Sequence, residues 1–482
     1  MREIDKAVPK GDMRVHKEAK QISDIQATSE RWCWVEAAVW TERMLAALDN
    51  GVKGNKWFSL WDKVWSTRTL WSAWEHVRNN KGSAGVDKMS IDRFELNETF
   101  YLEQIAEELK TGKYKPKPVK RVHIPKGDGK TRPLGIPVVK DRIVQAALVK
   151  VIEPIFEKEF VEISYGFRPK RGCKDALRRV DNLVKEGYTW VVDADLKGYF
   201  DNIPQVPLMD RVEERISDGK VLTLMRQFLQ QSIMEDLNCY VPEKGIPQGA
   251  VVSPLLANIY LHPLDKLITG DGHEMVRYAD DFVILCKTEK EARQVLEKVQ
   301  KWVQANGLML HPDKTHIGNC MEPGQGFEFL GYRFESGNRY VRKKSLKKLR
   351  DSIRAKTRRS QGKGIGRVIE DLNLILKGWY EYFKHAHRRT FRKVDGFARR
   401  RLRSILRKFN KRSKGTGRCL NDHMRWPNKY FQSRGLFTLE SAHRLEVSAP
   451  CPGPGHWTRA CKAPNASVVH HLPSFVSPCR SQ

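Results

Sequence analysis

The segment 275-MVRYADDFVILC-286 places two adjacent acids, Asp280 and Asp281, inside a run that is otherwise almost wholly apolar. Apolar runs on either side of a two-residue break read as short strands joined by a tight hairpin, which would hold both carboxylates at its tip. Taken alone, an Asp-Asp between strands is ordinary turn chemistry. A second run, 190-WVVDADLKGYFDNI-203, also ends in acids: Asp193, Asp195 and Asp201. Two carboxylate-bearing strand ends in one domain point to a shared divalent-metal site, because acids packed together without a cation raise one another's pKa. Mg²⁺ takes a few carboxylates plus water and phosphate oxygens, so neither His nor Cys ligands are expected.

Outward from these runs, strand-like stretches (190–196, 275–286, 327–334) alternate with helical ones (141–160, 289–307) between about 75 and 335. This pattern predicts a mixed α/β (α+β) domain. Upstream, 32-WCWVEAAVWTERMLAALDN-50 and the tryptophans around it predict a helical N-terminal extension, residues 1–60, packed on that domain. Downstream the charge changes. Lys and Arg exceed Asp and Glu by 87 to 57 overall, yet residues 339–418 hold 29 basic and 5 acidic residues, so 24 of the 30 surplus charges lie in this one stretch.

Within it, Leu372, Ile375, Leu376, Trp379, Tyr380 and Phe383 form one helical stripe, and Leu402, Ile405, Leu406 and Phe409 a second. Stripes at this spacing dock on a core, so the stretch reads as an all-helical module with a basic exterior rather than a solvated tail. A surplus of this size makes nucleic acid the expected partner. No apolar run approaches the roughly 20 residues that span a bilayer, and the opening residues lack an apolar signal region; the expectation is a cytoplasmic chain without a membrane partner. Nine irregularly spaced cysteines, with no C-x-x-C, fit reduced thiols better than a disulfide framework. From about 446 to 482 periodicity fades, which predicts a poorly ordered tail.

The motifs resemble a family as an ordered set: 123-HIPKGDGKTRPLGIP-137, DADLKGYFDNI, 245-GIPQGAVVSPLLANIYL-261, YADD, 307-GLMLHPDKT-315, 328-EFLGYRF-334 and 426-WPNKYFQSRGLFTL-439. In this order, and followed by a basic helical module, they closely resemble bacterial group II intron-encoded proteins, which combine reverse transcriptase with intron maturase activity. The resemblance covers about residues 60–443. It implies a right-hand polymerase with fingers and palm in residues 61–335, followed by a helical thumb and maturase domain X in 336–445. The tail carries no paired C-x-x-C spacing, so no zinc-containing endonuclease is expected.

The resemblance also implies site residues. Asp195, Asp280 and Asp281 match the catalytic acids that hold two Mg²⁺ ions, while Asp193 and Asp201 lie outside the matched positions. Lys126 and Arg132 match residues that hold the incoming triphosphate; without the family, K-G-D-G-K reads as a basic surface turn. Phe200 matches the aromatic beneath the sugar, and Gln248 the amide that contacts the nucleotide. Lys314 fits a P-x-K-T pattern to which no role is attached. Residues 328–334 resemble the primer grip, although their apolar side chains also suit a core. The aromatics Trp379 and Tyr380 sit on the apolar stripe and are expected in the core rather than stacked on bases.

RNA binding is expected along Arg342, Lys343, Lys344, Lys347 and Lys348 on charge density alone. Expected partners are group II intron RNA, an RNA template, a DNA primer and deoxynucleoside triphosphates; whether the protein forms a homodimer stays open. The implied activity is RNA-directed DNA synthesis together with assistance to splicing in intron mobility. A non-catalytic maturase scaffold is the alternative, and a retron-type or diversity-generating reverse transcriptase a third reading, against which the basic module stands.

Overall fold

A sheet with strand order β6-β7-β3-β8 lies at the centre of the fold, built from Trp190–Asp195 (β3), Glu274–Tyr278 (β6), Asp281–Cys286 (β7) and His316–Asn319 (β8), with every neighbouring pair antiparallel. The computed structural model describes residues 31–127, 130–236, 238–360, 362–410 and 419–448. Residues 1–30 of the expected extension and the expected tail beyond Ser448 lie outside these. Among the described residues no helix is long and apolar enough to cross a membrane.

Side chains alternate across a strand, so one sheet serves two cores. Val192, Ala194, Phe282 and Ile284 join the first core. There they meet three helices: α3 (Val139–Glu157), α5 (Ser253–Gly270) and α6 (Glu289–Ala305). Val191, Val276, Val283 and Leu285 point the other way, into a second core shared with α4 (Cys173–Lys185). Coverage of both faces explains why these strands read as nearly continuous apolar runs. It also singles out Asp193, Asp195 and Asp281, which have the same parity as Val191, Val283 and Leu285.

Among the described residues there are two other sheets. The first has the order β2-β1-β4-β5 and comprises Val119–Gly127 (β1), Lys130–Ile136 (β2), Ile233–Glu235 (β4) and Asn238–Tyr240 (β5). Within it β1 and β2 form a hairpin with a register shift between Pro125 and Gly127. The other, β11-β10-β9, comprises Phe327–Phe329 (β9), Tyr332–Glu335 (β10) and Asn338–Val341 (β11). Its aromatic residues Phe327, Phe329, Tyr332 and Phe334 are buried in the second core, which settles the core reading of this segment. The β10–β11 hairpin straddles residue 335, so this small sheet shares its core with the helices that follow.

Those helices include α7 (Lys343–Lys356), α8 (Ile365–Phe383), α9 (Arg389–Phe409) and α10 (Leu439–Ser448). The expected stripe on α8 is inside: Leu372, Leu376, Tyr380 and Phe383 are buried, and Tyr380 meets Phe391 edge to face at 5.6 Å. On α9 the stripe ends at Phe409, which is 48% exposed. Buried Asp395 accepts hydrogen bonds from the Leu439 and Glu440 amides at 3.0 Å each and so caps α10, which runs past residue 445.

At the N-terminal side the helix expected over 32–50 forms only as α1 (Glu42–Asn50), where the Thr41 hydroxyl accepts from the Met44 amide; the residues before it make turns. Trp32, Trp40 and Leu48 are buried in the first core, and Trp40 Nε1 donates to the Lys150 carbonyl of α3 at 3.0 Å. Downstream of α1, α2 (Thr67–Asn80) packs against the same helix.

Candidate active site

The register of β3 on β7 decides the geometry: Asp195 stands directly opposite Asp281, with Asp193 opposite Val283. The hairpin expected at the Asp-Asp pair is present, but shifted by one residue. Tyr278 pairs with Asp281, so the two-residue turn is Ala279-Asp280 and Asp281 already belongs to β7. Ala279 takes φ 61°, a left-handed conformation that a side chain rarely adopts without external support.

That support lies underneath. The Arg277 guanidinium, fully buried, donates to the Ala279 carbonyl at 2.9 Å and to Asn258 Oδ1 at 2.9 Å, and pairs with the equally buried Asp265 at 2.6 Å through Nε. Asn258 in turn donates to the Gly166 carbonyl at 2.8 Å. A Cβ on Gly166 would collide with the Ala279 amide nitrogen and stand 2.8 Å from the Tyr278 carbonyl carbon. None of these four positions was singled out from sequence. The one available signal was an arginine inside the apolar run MVRYADD, since a buried guanidinium requires a partner.

The acids strain one another. Burial, then the neighbouring carboxylates Asp193, Asp280 and Asp195, push the Asp281 carboxyl up to about 8, against a smaller opposing pull from Arg342. Burial likewise lifts Asp193 to about 6, with His316, 3.9 Å away, opposing. Asp193, which lies outside the positions matched by the resemblance, is therefore part of the acidic cluster. As the side chains stand, no three acids, imidazoles or thiols among the described residues converge closely enough to hold a metal ion. Asp195 is turned instead onto Lys314, whose Nζ lies 2.6 Å from its Oδ2. The donor set nevertheless fits hard divalent cations: carboxylate oxygens at adjacent strand ends, with a raised pKa that a bound cation would relieve.

Beside the acids, the short helix Tyr199–Asn202 carries Phe200, half-buried and edge-on to Tyr199 at 5.5 Å. The 245-GIPQG-249 loop closes over this helix through two amides, Gly245 to the Ile203 carbonyl and Ile246 to the Phe200 carbonyl, both at 2.8 Å. Gln248 Nε2 donates at 3.0 Å to Asp201, the second acid outside the matched positions, which orients the amide. The loop also joins β2, where the Gly135 amide donates to the Gln248 carbonyl at 2.6 Å. Gly249 has φ 103°, and a Cβ there would come within 2.6 Å of the Gly135 carbonyl oxygen, so glycine is required at this crossing.

A cavity of about 330 Å³ opens between this loop and the β1–β2 hairpin, lined in part by Arg121, Asp201, Tyr240, Lys244 and Gln248. Arg132 is exposed on β2 opposite Ile124 of β1. Lys126 lies in β1, and its side chain is outside the described residues.

Lys343, Lys344, Lys347 and Lys348 are exposed along α7, whose opposite side buries Leu349 and Ile353. Arg342 differs from them: it is half-exposed, 3.7 Å from Glu328, and its field reaches Asp281. The five residues expected to bind RNA are thus four lysines on one helix and one arginine beside the acids.

Residues 124–334 match the family described as reverse transcriptase (RNA-dependent DNA polymerase), and residues 346–426 match the group II intron maturase-specific domain. The chain is 32% identical over 357 residues to protein YkfC of Escherichia coli K12, covering 65% of this chain and 88% of that protein. It is 39% identical over 328 residues to the group II intron-encoded protein LtrA of Lactococcus lactis subsp. cremoris, covering 54% of each. Among solved structures, telomerase from Candida albicans with a telomeric RNA fragment aligns at a TM-score of 0.38 and 14% identity, covering 74% of this chain and 68% of that one. That likeness is too distant to bear on function.

Proposed function

The chain belongs to the family of group II intron-encoded reverse transcriptases and maturases, an RNA-directed DNA polymerase with a maturase role, and on that premise we propose that Asp195, Asp280 and Asp281 carry its nucleotidyl transfer. The family generally uses divalent metal. Here the proposed cofactor is a pair of Mg²⁺ ions, which when bound would supply an activated primer 3′ hydroxyl and stabilisation of the pyrophosphate leaving group. One observation supports the reading above the others: strand register sets Asp195 against Asp281, with Asp280 in the adjoining turn.

The remaining residues bind and orient. Arg132 and Lys126 are proposed to take the triphosphate of an incoming deoxynucleotide, where fixed cations stabilise charge on the transferring group. Phe200 would lie beneath the sugar and disfavour a 2′ hydroxyl, a discrimination that an apolar wall makes only moderately. The Gln248 side chain, held by Asp201, would fix the nucleotide from the loop side. Lys343, Lys344, Lys347 and Lys348 are the proposed contacts to group II intron RNA, with Arg342 nearer the catalytic acids. Residues 1–60 are assigned as an N-terminal extension, 61–335 as fingers and palm and 336–445 as thumb and domain X. An RNA template and a DNA primer complete the substrates, and intron mobility is the setting.

The test is extension of a DNA primer on an RNA template with Mg²⁺ and deoxynucleotides, comparing the wild type with Asp280→Asn. Extension by the wild type and its loss in the variant is the expected result. Equal product from both, or none from either, overturns the catalytic assignment, and retained intron RNA binding in the second case would leave a scaffold.

A further inference from the structure

Lys314 is a residue for which the motif has no role, and the structure brings it onto a catalytic carboxylate 119 residues away. Its position is built by the backbone. The His311 amide donates to the Asp195 carbonyl at 2.7 Å, the Lys197 amide donates to the Met309 carbonyl at 2.8 Å, and Leu196 bridges Leu310. From that zipped segment 311-HPDKT-315 folds back on itself, with the Lys314 and Thr315 amides both donating to the His311 carbonyl, at 3.2 and 3.1 Å. The turn therefore delivers the lysine to the end of β3.

We propose that Lys314 is a resident counter-cation, neutralising Asp195 in the metal-free protein and giving way when divalent cations arrive. This role rests on the reading of Asp195 as a metal ligand and adds to it. An exposed ion pair ordinarily contributes little. This one differs in its setting: Asp193, Asp195, Asp280 and Asp281 crowd one strand end, and the Lys314 ammonium is seated on Asp195 within that cluster. With Asp195 Oδ2 engaged at 2.6 Å by an ammonium group, a divalent ion approaching that oxygen to about 2.1 Å meets the repulsion of a positive charge already seated there. The lysine can leave: its side chain is 52% exposed on a flexible stem, and water accepts the ammonium at little cost.

The same arrangement predicts competition. Removing the ammonium while keeping the aliphatic stem, in Lys314→Met, should tighten divalent-cation binding about two- to fivefold, the scale of a half-exposed ion pair. The measurement is Mn²⁺ binding to the full chain without nucleic acid, read from the electron paramagnetic resonance of free Mn²⁺, with thermal unfolding in parallel. Relative to wild type, Lys314→Met should melt lower without metal and gain more from added Mn²⁺, while Lys314→Arg should bind Mn²⁺ as the wild type does.

Unchanged or weaker Mn²⁺ binding by Lys314→Met, alongside weakened binding by Asp195→Asn, overturns the counter-cation role and leaves the metal site standing. Wild-type binding by Asp195→Asn removes the metal site itself. Should the methionine variant fail to fold, Lys314→Gln makes the same comparison.

Discussion

The turn that carries Asp280 is held from below by the buried Arg277–Asp265 pair, and removing one partner tests whether that support matters. Both side chains are 0% exposed, joined through Nε to Oδ1 at 2.6 Å and through a second contact from Nη2 to Oδ2. Asp265→Ala strands the guanidinium in a dry interior, which in comparable cases costs about 3–5 kcal/mol. Urea unfolding followed by tryptophan fluorescence should show that loss as a lower midpoint. A double replacement, Arg277→Met with Asp265→Leu, removes both charges and refills the volume; it should recover most of the stability, because well-packed apolar side chains often equal a buried ion pair. It cannot recover the hydrogen bond from Arg277 to the Ala279 carbonyl, so Ala279 loses what holds it at φ 61°. Primer extension by the double variant should therefore remain at least about tenfold below wild type, equivalent to 1.4 kcal/mol of barrier. A loss under about 1 kcal/mol for Asp265→Ala, or wild-type extension by the stable double variant, would refute the reasoning.

Gly166→Ala should impair extension while leaving circular dichroism unchanged, at an overpacking cost of about 1–3 kcal/mol, because the added methyl meets the backbone of Tyr278 and Ala279; full activity would show that the turn has room. Burial, helped by Lys266, Arg277, Arg168 and Arg215, lowers the His262 pKa to about 3, and neither ring nitrogen has a hydrogen-bond partner among the described residues. The folded value is below the unfolded one, so this stability is complete above about pH 6.5 and falls by up to about 1.4 kcal/mol per unit as the pH drops towards 3. Urea unfolding at pH 7.5 and 5.5 should show a flatter acid limb for His262→Phe than for wild type, and identical limbs would contradict the assignment. Replacing Lys343, Lys344, Lys347 and Lys348 together by alanine should weaken intron RNA binding and flatten its log-log salt slope by up to about 3, as expected for a few lost phosphate contacts. An unchanged slope in filter binding would move the RNA surface elsewhere.

Local patterns were legible where a period or a composition could carry them. Alternation and apolar runs marked β3, β6, β7, β9 and β10, and helical spacing marked α8 and α9. Acids at strand ends marked Asp193, Asp195, Asp201, Asp280 and Asp281 as a group, and the family resemblance picked out Asp195, Asp280 and Asp281 among them. The turn was misread by one residue because two-residue hairpins demand a positive φ at their first position, and alanine gives no sign of adopting it. The helix expected over 32–50 was overextended for a related reason: Thr41 caps α1, and the tryptophans before it pack from turns.

The amino-acid sequence by itself determined that the segments of β3, β6, β7, β9 and β10 are strands, which faces of the later helices are apolar, and that acids and a cationic module share one chain, since each follows from neighbours a few residues apart. Tertiary structure alone decided that Asp195 faces Asp281, that Asp193 joins them, that Lys314 occupies Asp195, and that Arg277 with Asp265 supports the turn. These are contacts made across a sheet or between distant segments. Their partners are chosen by strand register and by the need of buried charge for a counter-charge, and neither leaves a periodic trace along the chain.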